Sequence, residues 1–90
     1  MPAGRKLSLL AVIAREWDRS VADLTAAIDS GKLAERNRVI AYYDRSTVYG
    51  QKGALDASIA DLNEALKLDP NNAKALLQRG VTHFVEKSLD

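Results

Sequence analysis

Two stretches of this chain carry nearly the same residues 58 − 20 = 38 positions apart. The first is Trp17-Asp18-Arg19-Ser20-Val21-Ala22-Asp23-Leu24-Thr25-Ala26-Ala27-Ile28, and the second is Leu55-Asp56-Ala57-Ser58-Ile59-Ala60-Asp61-Leu62-Asn63-Glu64-Ala65-Leu66. Six of the twelve aligned positions are identical, and two more exchange one aliphatic side chain for another. Each copy has apolar residues at helical spacing. A short amphipathic helix repeated at this period cannot bury its stripe alone, so neighbouring copies must stack. The repeat points to a surface spread over several helices, away from a compact catalytic centre.

The periodicity predicts five helical segments. The first covers about residues 5–14, with Leu7, Leu10, Ala11 and Ala14 on a buried stripe. The second covers about 18–29, with Asp18 at its positive N-terminal end and Gly31 as a left-handed terminator. The third covers about 35–51, with Val39, Tyr42, Ser46 and Tyr49 facing inward before Gly50 and Gly53 break it. The fourth covers 55–68 and stops at Asp69-Pro70-Asn71-Asn72, where the residue before proline disfavours helix. The fifth begins near Ala73 and continues to about Lys87. No strand-like alternation occurs. Short connections imply antiparallel neighbours.

Composition limits the function classes. Ninety residues form one small domain with a modest core. The net charge is +1 with both signs interleaved, so the basic stripe that nucleic-acid binding needs is absent. Arg36 and Arg38 read as a solvated helix end. Without cysteine there is no disulfide or thiolate chemistry, and no apolar run approaches the roughly 18–20 residues of a membrane span. Arg5-Lys6 before an apolar run from Leu7 to Ala14 faintly resembles a secretory leader but is short for one, so the expected compartment is cytoplasmic, with a periplasmic or secreted location as the alternative.

The unit from Val39 to Asn72 resembles the tetratricopeptide repeat, a helix–turn–helix module of about 34 residues. Ala41, Tyr42, Tyr49, Gly53, Leu55, Ser58, Ile59, Leu62, Ala65 and Pro70 fall on the family's large, small and turn positions. Ser46 takes a place the family usually gives to glycine, where two helix backbones approach closely. Ala41 and Arg45 recur one repeat later as Ala75 and Arg79, with Gly80 at the small position and His83 where the family prefers tyrosine. The first unit departs from the pattern. It lacks the aromatic and the proline, and its spacing to the next is too long by about one helical turn. The third helix is therefore expected to start a turn early, near Glu35 or Arg36. The junction Ser30-Gly31-Lys32-Leu33 followed by Ala41-Tyr42-Tyr43-Asp44-Arg45-Ser46 is similar to that of bacterial members of the family.

The resemblance implies an all-α solenoid of about five antiparallel helices in a single domain, with units near 5–38, 39–72 and an incomplete 73–90. It also implies a non-catalytic scaffold that binds a peptide or helix of a partner protein in a concave groove lined by the first helix of each unit. That row comprises Ile40, Tyr43, Asp44, Thr47 and Gln51, then Lys74, Leu77, Gln78, Val81 and Phe84, with Arg5, Leu9 and Ile13 ahead of them. Tyr43 and Phe84 are the expected anchors, because aromatics dominate binding hot spots. The family's carboxylate clamp would place Arg5, Leu9, Asp44, Lys74 and Gln78 at its five positions; Asp44 would repel the carboxylate, so a working clamp is not expected.

Catalysis has little support. His83 is expected to be a partly buried structural imidazole. Ser20, Ser46 and Ser58 sit at small packing positions, Asp18, Asp23, Asp56 and Asp61 at helix ends and solvated faces, and Trp17 plugs the core. No cofactor or metal is expected, since calcium-loop, phosphate-loop and zinc spacings are missing. A second reading is self-association. The fifth helix has Ala73, Leu76, Leu77, Val81, Phe84 and Val85, too many apolar residues for one face, and a homodimer through that uncapped helix or a place in a longer array would cover them.

Overall fold

A computed structural model describes residues 2–89, with side chains from Leu9 onward; the expected roles of Arg5 and Leu7 lie outside the described side chains. Four helices follow one another: α1 (Pro2–Asp29), α2 (Glu35–Lys52), α3 (Leu55–Leu68) and α4 (Ala73–Ser88). The principal packing is between sequence neighbours, α1 on α2, α2 on α3 and α3 on α4. The molecule extends 50 × 35 × 16 Å, with a radius of gyration of 15.0 Å. A compact chain of this length would have about 12 Å, so the helices form an elongated stack. Among the described residues no helix is long and apolar enough to cross a membrane.

The first two expected helices are one. α1 runs unbroken through Arg15-Glu16-Trp17, and Asp18 lies in its interior, bonded to Lys52 Nζ instead of capping a helix start. The reason is visible at the position aligned with the α2–α3 turn. Gly53 ends α2 with φ of 83°, a left-handed conformation that only glycine adopts cheaply. Its counterpart in the first copy is Arg15, which has no such freedom, and neither glycine nor proline stands nearby. Asp18 costs the helix interior only a few tenths of a kcal/mol, less than breaking the hydrogen-bond ladder. As a result Leu10, Ala11 and Ala14 face solvent instead of forming the expected buried stripe, and Leu9, Val12 and Ile13 beside them are exposed too. Trp17 is half-buried and lies outside the central core.

The other boundaries follow the expected punctuation. α2 begins at Glu35, so the lengthened junction does extend the helix by a turn. At its end the Gly53 and Ala54 amides donate to the Gly50 and Tyr49 carbonyls at 3.1 and 2.8 Å, which satisfies orphan groups of the last turn. A Gly53→Ala change should cost about 1 kcal/mol, because the added Cβ meets open space and only the left-handed backbone resists it. Urea denaturation would read this. Asn72 caps α4 through its side-chain oxygen, which accepts from the Ala75 amide at 2.9 Å.

The core is small and central. Val39, Leu62, Ala65, Leu66 and Ala75 are buried together, with Tyr42, Tyr43 and Leu68 packed against them. Where α2 meets α3, Ser46 and Ser58 are both buried, and the Ser58 hydroxyl donates to the Ser46 carbonyl at 2.9 Å. That contact requires small side chains on both helices, in keeping with the sequence reading. Ser20 departs from it: this third serine is exposed, because no helix lies against that face of α1.

Candidate functional site

Three helices meet at one guanidinium. Arg45 Nε and Nη2 donate to Asp61 Oδ2 and Oδ1, each at 2.7 Å, and Nη1 donates to Thr25 Oγ1 at 2.9 Å. Its Cζ lies 5.8 Å from the ring centroids of both Tyr42 and Tyr49. Arg45 therefore binds α1 and α3 to α2. The hydrogen bond to Asp61 raises the Arg45 pKa above its already high ordinary value, against burial, which lowers it. A raised cationic pKa stabilises the fold at every pH below the ordinary arginine value and is lost only in strong alkali. Asp61 is thus no solvated acid, as its repeat with Asp23 suggested; it is 4% exposed and paired. The recurrence of Arg45 as Arg79 in the next unit was the available signal for this joint.

The expected groove residues divide. Thr47 and Gln51 of α2 and Gln78 and Val81 of α4 line one cleft, together with Gly50, Leu55, Thr82 and Val85. No formally charged side chain lines it. The hydroxyls of Thr47 and Thr82 donate back to the Tyr43 and Gln78 carbonyls at 3.2 and 2.8 Å. The polar groups left to read a ligand are the amides of Gln51 and Gln78. This chemistry suits an uncharged peptide or helix surface and gives no general acid, base or phosphate cradle.

Ile40 sits apart, in a second cleft with Glu35, Arg36, Val39, Leu68, Asp69 and Asn72. Tyr43 lies between the two on α2, but its ring is half-buried against the core, which takes part of the surface an anchor would offer. Phe84 and Leu77 are open, at 73% and 71% exposure, and with Asp44 and Lys74 they line neither cleft. His83 is exposed, contrary to the partly buried imidazole expected from its tyrosine-like position, because nothing covers that side of α4. Of the clamp positions on α1, Leu9 is exposed and Arg5 lies outside the described side chains.

Residues 47–84, from the second half of α2 through α3 and most of α4, match the family model described as TPR repeat. No curated protein and no solved structure matches the chain.

Proposed function

On the premise that this chain is a tetratricopeptide-repeat protein over residues 47–84, we propose that it is a non-catalytic interaction scaffold, holding a peptide or helix of a partner protein against α2 and α4. The uncharged cleft of Thr47, Gln51, Gln78 and Val81 carries the proposal, since it is concave and flanked by exposed apolar residues of α4. Leu77 and Phe84 extend the contact along α4, Ile40 and Tyr43 extend it along α2, and Asp44 and Lys74 supply a polar rim. Apolar centre and polar rim are the usual anatomy of a protein interface.

Val81→Asp and Gln51→Lys test this reading. Both positions are exposed, so folding should be retained. Each puts a charge into a neutral cleft and should weaken capture of a partner at least about tenfold, the scale of a moderate hot spot. Partners captured from the source cell by immobilised protein would be quantified for wild type and both variants. Undiminished capture by both would refute this cleft as the site.

A further inference from the structure

The residues of the joint between α2 and α3 recur once more in this molecule, as two separated halves. Within the chain the joint consists of Arg45 and Ser46 on α2 and of Asp61 and Ser58 on α3, held by the 2.7 Å ion pair and the serine contact. The α2 half recurs on α4 as Arg79 and Gly80, and the α3 half recurs on α1 as Asp23 and Ser20. A hydrogen bond supports the equivalence. Arg79 Nη1 donates to Asn63 Oδ1 at 2.8 Å, as Arg45 Nη1 donates to Thr25 Oγ1, and Asn63 is the counterpart of Thr25.

Both recurring halves are open. Among the described residues Arg79 has no carboxylate partner, whereas Arg45 has Asp61. Gly80 is exposed in mid-helix, and a Cβ there would meet nothing within 4 Å. Ser20 and Asp23 are exposed on α1. Apolar side chains continue both faces. On α1, Ser20 prolongs the stripe Leu10, Ile13, Trp17 at helical spacing; on α4, Leu76 and Phe84 flank Gly80 and are 44% and 73% exposed. The two halves occupy opposite ends of the helix order, so they cannot meet within one molecule.

We infer that α4 of one molecule receives α1 of a second copy, head to tail, in the manner in which α2 receives α3. Arg79 then pairs with Asp23 of the second copy, and Gly80 takes the close approach to Ser20. Phe84 replaces Gly50 and Trp17 replaces Leu55, so the intermolecular joint is wider and more aromatic at that end. α1 does not turn at Arg15 and can therefore lie along the whole of α4, covering Ile13 as well. The contact joins unlike surfaces, so each addition leaves another open end and assembly does not stop at a dimer. This surface uses none of the side chains that line the α2–α4 cleft, and it shares Phe84 with the partner contact proposed beside that cleft.

Ser20→Arg and Gly80→Arg block one half each at exposed positions with room for the side chain, and arginine favours helix over glycine. Sedimentation velocity of the 90-residue chain from micromolar to millimolar concentration is the readout, with circular dichroism verifying that both variants remain helical. Wild-type average mass should rise continuously with concentration, and either variant alone should stay monomeric. An equal mixture of the two should form a 1:1 pair and nothing larger, because each retains the half that the other has lost. A wild-type chain that remains monomeric throughout overturns the inference. So does a dimer that saturates and survives Ser20→Arg, the behaviour of a symmetric contact through α4, or a variant mixture that stays monomeric.

Discussion

Arg45→Met is expected to cost about 3–5 kcal/mol of folding stability, the scale of stranding one charge of a buried pair. Asp61 is 4% exposed and takes both of its close charge-assisted bonds from Arg45, at 2.7 Å each, so the variant leaves a carboxylate with no donor and little water. Thr25 loses its bond to the same guanidinium, and Tyr42 and Tyr49 lose the cation beside their rings. A small domain has only about 5–15 kcal/mol in total, so much of the stability goes at once. The double variant Arg45→Met, Asp61→Leu should recover most of the loss, because it removes the stranded charge along with its partner. Thermal and urea denaturation of the set would read this. Equal losses in the single and double variants would mean that packing by the arginine stem, and not the ion pair, holds the joint.

Leu62→Ala is expected to cost about 2–5 kcal/mol. Leu62 is fully buried among Val39, Ala65, Leu66 and Ala75, and it is the largest of the completely enclosed side chains. Two of those neighbours are alanines, which have no side-chain length with which to fill the space left behind. The cavity should therefore persist, placing the cost toward the upper part of the range. At about 4–8 °C per kcal/mol for a domain of this size, the midpoint should fall by more than about 10 °C. A shift below a few degrees would show that the helices close around the gap.

The binding reading is less directly legible than the scaffold. The family resemblance put Thr47, Gln51, Gln78 and Val81 on one groove-lining row, and these four line one cleft. Tyr43 shows where a row argument runs out. Its position on α2 matches its neighbours in the row, yet its ring is drawn against the core, since a bulky side chain settles wherever the surrounding volume is free. His83 fails for the opposite reason. A tyrosine-like place in the repeat means burial only if another helix covers it, and sequence position does not report that neighbour.

Local chemistry alone determined where α2, α3 and α4 begin and end. Gly53 supplies a positive φ, Pro70 interrupts the ladder and Asn72 caps the next helix, and each effect depends on residues within one or two turns. Tertiary structure decided which repeated residues acquire partners. Asp23 and Asp61 stand at equivalent places in matching segments, but only Asp61 lies beside an arginine and is buried. The continuity of α1 past Arg15 removes the helix that would have covered Asp23 and Ser20. Helix formation is local, whereas burial and ion pairing depend on which surface the chain brings alongside.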